Sequence, residues 1–433
     1  MNTFFDPVNN TAAGEQLNKE LSADGGRTAV ISGCIDTQKV HISSAIASGY
    51  KYMLIVTSDE AKARKMCDDA SFFNKEAIYY PAKDAIFYSA DVHGNQITGE
   101  RLRCISRIIN HSSTGEGVLT VVTTMDGIAD RLIPVERFKE AVITLDYSSE
   151  IEPEKLAKKL VAMGFVRTGM VEDKGQFAIR GGIIDIFSYT DEAPVRIELW
   201  DTEVDSIRMF DVESQRSIER LQSYSIFPAT EYIFTEDELK NGLYNIKEEC
   251  DRQLECFDYG KRKRTKEQIE AGNNLNKLVA DVERTGNYEK FTDTLVADTV
   301  GLAEYFPEEN TLVVLDEPNR LKECNELTLY EYNESMKNRL AAGYVLPSQT
   351  NKVKAMNEII SDLRNNKKLI LTTLDYKPEG FEIDYSMYIM ARSISSYNNS
   401  FEYLAKDLEK YKKNGYTTIL VCSSRTRALR IVD

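Results

Sequence analysis

The sequence is poor in the residues that build metal sites and disulfide frameworks. Its 433 residues include three histidines, one tryptophan and seven scattered cysteines, with no CxxC pair. An odd number of scattered cysteines indicates reduced thiols in a cytosol, and so few histidines argue against a zinc site. No apolar run approaches the ~20 residues of a membrane helix, and the N-terminus lacks the basic and apolar regions of a signal peptide. We therefore expect a soluble, cytoplasmic protein without a metal site.

Positive charge is the second shortage. Lysine and arginine number 54 against 69 aspartates and glutamates, which gives a formal net charge of -15. Such a balance opposes nonspecific binding to the phosphate backbone of nucleic acids. The length predicts about three domains of roughly 100 to 200 residues each.

Short apolar strands alternate with amphipathic helices near the N-terminus, which predicts a parallel sheet. Another strand of the same kind, Thr311 to Leu315, lies far along the chain. We therefore predict an α/β domain that is discontinuous in sequence, with halves at residues 1–147 and 229–328. The helix predicted from Glu100 carries Arg101, Arg103 and Arg107, which could form a row facing DNA, although the solvated or ion-paired side of the helix is favoured.

The first strand leads into a loop that departs from a phosphate-binding loop. Aligned to GxxxxGK[ST] from Gly33, the sequence keeps Lys39 but has Gln38 for the second glycine and Val40 for the hydroxyl residue. Without that glycine the backbone cannot easily wrap phosphates, and without the hydroxyl a magnesium ligand is lost. We predict a degenerate nucleotide loop.

Asp316 and Glu317 follow the later strand directly and have the form of a Walker B element, whose carboxylates organise magnesium and water. Because the phosphate loop is already broken, we interpret this acidic pair as a relic or a structural cap.

The stretch from Gln176 to Phe210 predicts a small antiparallel sheet with one buried and one working face. Alternation along its strands places aliphatic residues inside and places Arg180, Arg196 and Trp200 on the other side. The only tryptophan is therefore predicted to be exposed beside arginines, a composition typical of protein-interface anchors. A second hypothesis stays open, in which Trp200 packs under a neighbouring domain while the arginines pair with Glu198 or Asp185.

From about residue 330 the strand-helix alternation restarts, with strands predicted at 368–373, 385–391 and 417–422. We interpret residues 329–433 as a third, linking α/β domain. The fold class is then α/β: a degenerate, P-loop-motor-like parallel sheet, split by an inserted small antiparallel β-rich domain at 148–228 and followed by a further small α/β domain.

These residues carry a resemblance. One part of the sequence is similar to the module shared by the excision-repair protein UvrB and the transcription-repair coupling factor family, Mfd. The similarity covers Phe177 to Phe187, Pro194 to Trp200 with the turn after it, and Asp211 to Ser217. The order of domains resembles the N-terminal region of that family.

The resemblance implies that this module binds the damage sensor UvrA through Arg180, Arg196 and Trp200. It also implies a non-catalytic chain without cofactor, acting in transcription-coupled nucleotide excision repair and in autoinhibition through an intramolecular C-terminal domain. ATP and magnesium, RNA polymerase and duplex DNA are expected to belong to a further part of the family protein, a DNA translocase.

Two alternatives remain. A UvrB-like ATP-dependent DNA repair motor needs an intact phosphate loop, a second motor domain and a long aromatic hairpin, whereas the connection from Phe87 to Gly99 is short. An unrelated small-molecule α/β enzyme needs a cluster of catalytic groups at strand ends, which the three scattered histidines do not suggest.

Overall fold

The structure, a computed structural model, describes residues 4–74, 76–83, 92–114, 117–258, 264–390, 394, 396–398, 400–420, 422 and 424–432. The predicted short connection therefore lies partly outside the described residues. The helices are α1 Asp6–Asn9, α2 Ala12–Leu21, α3 Asp36–Ala47, α4 Glu60–Phe73, α5 Val92–Thr114, α6 Met125–Ile128, α7 Val135–Ala141, α8 Pro153–Ala162, α9 Glu236–Asp258, α10 Lys266–Thr285, α11 Thr292–Leu295, α12 Pro318–Ala341, α13 Met356–Asp362, α14 Phe401–Lys413 and α15 Arg425–Val432. In the described part of the chain, no helix is both long and apolar enough to cross a bilayer.

Short 3-10 helices lie at Glu289–Phe291, Leu302–Tyr305, Glu308–Asn310 and Pro347–Thr350. The strands are β1 Thr28–Ser32, β2 Tyr52–Thr57, β3 Ala77–Tyr80, β4 Leu119–Thr124, β5 Ile143–Asp146, β6 Val166–Arg167, β7 Gln176–Arg180, β8 Ile183–Phe187, β9 Val195–Trp200, β10 Glu203–Phe210, β11 Ser217–Arg220, β12 Ser223–Ile226, β13 Thr311–Asp316, β14 Lys367–Thr372 and β15 Tyr385–Tyr388.

Seven parallel strands form the large sheet, in the order β15-β1-β14-β13-β2-β4-β3. Strands such as β2 (YMLIVT) are buried on both faces, as a parallel sheet covered by helices requires. Alternate residues of β2 enter different cores, because Leu54 and Val56 join one apolar cluster while Met53 and Ile55 join the other. The predicted parallel sheet, with β13 as a distant member, is confirmed.

The position of β14 and β15 corrects one part of the predicted organisation. Both strands were assigned to a linking domain that begins at 329, but β14 lies between β1 and β13, and β15 pairs with β1 at the edge. Residues up to Ile389 form one compact unit, and residues 390–433 form a second unit that contains α14 and α15. Residues 417–420 of the predicted last strand are not in a strand. Sequence pattern identified the apolar strands but could not assign their partners.

A separate six-stranded sheet is inserted between β4 and β13, in the order β11-β10-β9-β8-β7-β6. Its pairs are antiparallel, apart from the short parallel pair of β6 and β7. One face packs on α8 around Phe177, Ile184 and Ile197, all fully buried. Strands β5 and β12 pair antiparallel, so the chain enters and leaves this domain at one place. The predicted small antiparallel sheet is therefore confirmed.

Candidate functional site

The outer face of the inserted sheet is organised by one buried carboxylate. Asp185 on β8 stands opposite Arg196 on β9, and its side chain is 1% exposed. Arg196 donates from Nε to Asp185 Oδ1 at 2.6 Å and from Nη2 to Asp185 Oδ2 at 2.8 Å. This bidentate geometry is the strong form of the arginine–carboxylate pair. The hydrogen bond with Asp185 raises the pKa of Arg196 above its ordinary value, so its charge is held firmly.

Arg196 is held from two further sides. Its Nη2 atom also donates to Gln215 Oε1 at 2.8 Å, and its guanidinium lies 4.3 Å from the centre of the Phe210 ring. Only 12% of the side chain is exposed. Arg196 is thus a fixed part of the sheet surface that presents little of its guanidinium to solvent.

Arg180 is held by the same carboxylate but remains accessible. It ends β7 next to the two-residue hairpin loop of Gly181 and Gly182, where Gly181 has φ +62°, a conformation that favours glycine. Arg180 Nη2 donates to Asp185 Oδ2 at 2.5 Å, yet its side chain is 43% exposed. Of the two predicted arginines, Arg180 offers more of its charge to a partner.

Trp200 ends β9 on the same face and is 80% exposed, which confirms its predicted exposure. The following two-residue turn places Asp201 at φ +58°, so that Glu203 pairs with Trp200 on the next strand. Each of the two hypotheses from the sequence is therefore correct in part. The tryptophan is exposed, as in the first, and the arginines pair with Asp185, as in the second.

A second ion pair on this face was not predicted. Glu198 pairs with Arg208 on β10 and accepts a hydrogen bond from Ser206 Oγ at 2.7 Å. Arg208 lies opposite Arg196 in the register. In the sequence, only the alternation along β10 could have predicted that Arg208 lies on this face. A register shift between Val204 and Ser206 interrupts that alternation, because a bulge moves later side chains to the other face.

The predicted nucleotide loop and the predicted acidic pair are brought together at one end of the large sheet. Lys39, fully buried on α3, donates from Nζ to Asp316 Oδ1 and to Glu317 Oε1, each at 2.7 Å. Burial opposes the charge of Lys39, but attraction to Asp316 and hydrogen bonds to both carboxylates raise its pKa above the ordinary value. The lysine that would meet a phosphate is therefore bonded to the two acidic residues at the end of β13.

Further donors satisfy Asp316. Its Oδ2 atom accepts from Thr57 Oγ1 at 2.7 Å, and Lys62 Nζ lies 2.6 Å away. Lys62 reaches this point from the first turn of α4, which begins at an N-cap where Asp59 Oδ1 accepts the Lys62 N–H. Burial alone would raise the pKa of Asp316, but Lys39 and Lys62 lower it below its ordinary value.

Glu317 is held by the chain that follows β14. It accepts from the Thr373 backbone N–H at 2.7 Å and from the Tyr376 hydroxyl at 3.2 Å. Burial raises its pKa, but hydrogen bonds from Lys39 and Thr373 outweigh that effect and lower it. Both residues of the predicted Walker B-like pair are thus ionised and engaged in contacts within the chain.

The loop itself has little free space. Gly33 has φ +85°, and a Cβ atom there would lie 2.1 Å from the Ile389 carbonyl oxygen. The Cys34 N–H donates to Thr372 O at 3.1 Å. Val40 is fully buried in the apolar core, while Gln38 Oε1 is buried without a hydrogen-bond partner among the described residues.

The arginine row facing DNA, the less favoured of the two readings of α5, does not form a single surface. Arg101 is 1% exposed and donates to Glu231 Oε1 at 2.8 Å and to Asp130 Oδ2 at 2.7 Å. Arg103 and Arg107 are exposed. Arg101 instead ties the middle of α5 to the chain that leaves the inserted domain.

Comparison with known proteins gives two findings. Residues 143–232 match the family model described as the UvrB interaction domain. Across the chain, a transcription-repair-coupling factor of Bacillus subtilis is 29% identical over 421 residues, and one of Staphylococcus haemolyticus is 26% identical over 413 residues. Each alignment covers 94% of this chain and 34% of the relative, so the chain spans about a third of the length of these relatives.

The matched segment, 143–232, begins at β5 and ends just after β12, the two strands that close the inserted domain. It contains Arg180, Arg196 and Trp200. Residues 143–232 are similar to the UvrB interaction domain, and 94% of the chain is similar to transcription-repair-coupling factors, which confirms the predicted resemblance to the N-terminal region of that family.

Proposed function

We propose that this chain recruits UvrA as part of a transcription-repair coupling factor that acts in transcription-coupled nucleotide excision repair. The UvrB interaction domain and the relatives support this role. The observation that carries it is the 80% exposure of Trp200 on the face where Arg180 keeps 43% of its side chain in solvent.

The contacts of the face support different roles for the three residues. Trp200 supplies apolar area, and such aromatic anchors often contribute about 2 kcal/mol or more to binding. Arg180 can offer its exposed donors to an acidic group on UvrA, while Asp185 keeps its guanidinium oriented. Arg196 acts mainly by holding the face in shape, since its donors are already used within the sheet.

Binding of the folded chain to purified UvrA tests this proposal. Trp200→Ala is expected to weaken binding by about 2 kcal/mol, roughly 30-fold, and Arg180→Ala by about 1.5 kcal/mol. Tyr330→Ala on α12 is the matched control, because Tyr330 is 68% exposed outside the inserted domain. Equal binding by the wild type and the Trp200 variant would show that this face does not bind UvrA.

We infer that the chain is non-catalytic and takes no nucleoside triphosphate at the degenerate, P-loop-motor-like loop. The engagement of Lys39 by Asp316 and Glu317, and the closeness of Gly33 to the Ile389 backbone, support this inference. A triphosphate would have to displace both carboxylates from the lysine and compete with them for its charge. The midpoint of thermal unfolding should not change with ATP and magnesium, whereas a bound ligand would raise it by mass action.

We propose that DNA translocation, with its ATP and magnesium, and contacts with RNA polymerase and duplex DNA belong to sequence outside this chain. An intramolecular C-terminal domain would cover the face around Trp200 and produce autoinhibition. The large exposed apolar area of Trp200 supports a cover of that kind. UvrA should then bind this chain more tightly than it binds the full-length protein, and Trp200→Ala should reduce that difference.

A UvrB-like ATP-dependent repair motor is the second candidate. The parallel sheet that places Lys39 beside Asp316 and Glu317 favours it, since motors of that class place such groups together. ATP-dependent stabilisation that is lost in Lys39→Met would favour the motor over a recruiting module.

A further inference from the structure

A cavity of about 230 Å³ lies at the β15 edge of the large sheet. Helices α1, α2 and α3 line one side of it, and β1 with the end of β15 lines the other. Most of its walls continue the apolar core on that side of the sheet. Three of the core residues, Leu17, Ile31 and Ile42, are buried, and three half-buried residues pack against them, Val8, Met387 and Ile389.

Regular structure brings these side chains to one place. Gln38, His41 and Ile42 lie three and four residues apart on α3, so they share one face of that helix. The short helix α1 packs closely on α2, because a Cβ atom at Gly14 would lie 1.8 Å from the Val8 carbonyl oxygen. The walls therefore come from helices and strands that pack directly on one another.

Three polar side chains line the cavity, and two of them are used within the chain. Thr11 Oγ1 accepts from the Gly14 N–H at 3.0 Å and donates to the Val8 carbonyl oxygen at 3.0 Å. His41 Nε2 donates to the Phe4 carbonyl oxygen at 2.6 Å, since a carbonyl oxygen can only accept.

The third polar residue is Gln38. Its Oε1 atom is buried and has no hydrogen-bond partner among the described residues. A buried acceptor of this kind normally has a partner, because leaving it without one costs free energy. The lining thus combines an apolar wall with one acceptor that the described part of the chain does not satisfy.

This combination limits the occupant. A buried water molecule needs about two to four polar partners, more than the single free acceptor of Gln38 supplies. An apolar cavity of about 150 Å³, engineered in another protein, stays dry and binds benzene. The present cavity is larger, at about 230 Å³, so it has room for an aromatic ring with a substituent.

We propose that this cavity binds a small aromatic molecule with one hydrogen-bond donor, of the chemical class of phenols and indoles. The ring packs against Leu17, Ile31 and Ile42, and the donor bonds to Gln38 Oε1. Covering the half-buried walls removes apolar surface from water, which favours binding. Lys39 is not a lining residue, so the ligand leaves its ion pairs with Asp316 and Glu317 in place.

Phenol and toluene are the probes, because they have similar size and only phenol carries a donor. Calorimetric titration of the full chain should show saturable binding of both, and both should raise the midpoint of thermal unfolding. Gln38→Leu should weaken phenol binding roughly three- to tenfold, the loss expected from one hydrogen bond, and should leave toluene binding unchanged.

A filling substitution locates the site. Val8→Trp should abolish binding of both probes, because the indole occupies the cavity from its half-buried rim. Val161→Trp on α8 is the matched control, since Val161 is 57% exposed and does not line the cavity. In the wild type, both probes should shift the methyl NMR signal of Met387, which Met387→Leu identifies, and should leave that of Met170 in place.

Three results would overturn the proposal: no saturable response to either probe, undiminished binding in Val8→Trp, or equal weakening of phenol and toluene binding in Gln38→Leu. The last result would mean that Gln38 only shapes the cavity. The Met387 signal needs no substitution in the cavity, so it tests the site even if Val8→Trp fails to fold.

Discussion

Asp185 and Arg196 face each other on neighbouring strands, and two parallel hydrogen bonds join their carboxylate and guanidinium groups. The same carboxylate also accepts a hydrogen bond from Arg180. A single buried acid thus fixes both Arg180 and Arg196, the two arginines for which the resemblance implies a binding role. The energetic consequences of this arrangement can be measured apart from binding.

Asp185→Ala should destabilise the chain strongly. Removing one partner of a buried ion pair leaves the other charge without compensation, which costs about 3–5 kcal/mol. Urea unfolding measures this loss. Asp205→Ala is the control, because Asp205 is exposed on β10, and its effect should stay within about 0.5 kcal/mol. A loss in Asp185→Ala no larger than in the control would mean that Arg196 and Arg180 find other partners.

The ion pairs around Lys39 should make the free energy of unfolding depend on pH. Asp316 and Glu317 have lowered pKa values, against ordinary values of 3.8 and 4.5. The stability that these two carboxylates contribute is fully present at a pH above their ordinary pKa values. It is lost as the pH falls through their lowered pKa values in the folded chain, because the unfolded chain binds more protons than the folded one over that range.

Lys39→Met tests this dependence. At neutral pH we expect a loss of about 3–5 kcal/mol in the free energy of unfolding, since the substitution leaves buried carboxylates short of a partner. The difference from the wild type should shrink as the pH is lowered from 7 to 3. A difference that stays constant over that range would contradict the assigned pairs.

Gly33→Ala should be more harmful than Gly25→Ala. Both glycines have left-handed backbone, with φ values of +85° and +77°, so alanine costs roughly 1–2 kcal/mol at either position. A Cβ at Gly25 meets nothing within 4 Å, whereas one at Gly33 lies 2.1 Å from Ile389 O. That overlap should add about 1–3 kcal/mol. Thermal unfolding of the two variants measures the difference, and equal losses would show that the loop can move away from Ile389.

The thiols should differ sharply in reactivity. Cys256 is exposed, whereas Cys34 and Cys104 are buried, and burial raises the pKa of Cys34 to about 11. Because the thiolate is the reactive form, iodoacetamide should label Cys256 first and should reach the two buried thiols only after unfolding in urea. Mass spectrometry of digested samples gives the order, and Cys256→Ser should remove the earliest label. Early labelling of Cys34 in the folded chain would contradict its burial.

Local patterns predicted local features well. Alternation along β9 correctly placed Ile197 inside and Trp200 outside, and the apolar strand β13 was correctly joined to a sheet begun near the N-terminus. These predictions succeeded because a strand buried on one face has alternating apolar residues, and a strand buried on both faces has a continuous apolar run.

Pairing between distant residues could not be predicted in the same way. Nothing in the apolar run of β14 says that it lies beside β1 rather than in a further domain. Asp185 and Glu198 were equally plausible partners for Arg196 until the register was known. Arg101 appeared as one of three similar charges on α5, and only the positions of Glu231 and Asp130 explain its burial.

The strand order of the large sheet has a consequence for synthesis of the protein. Strand β1 is hydrogen-bonded on one side to β14 and on the other to β15, so about 340 residues must be made before it has either neighbour. The inserted domain, whose strands are close in sequence, can close as soon as β12 pairs with β5. On the ribosome, the inserted domain can therefore be complete before β1 has a partner strand. During that interval the apolar N-terminal segments are exposed, and we expect chaperones to bind them.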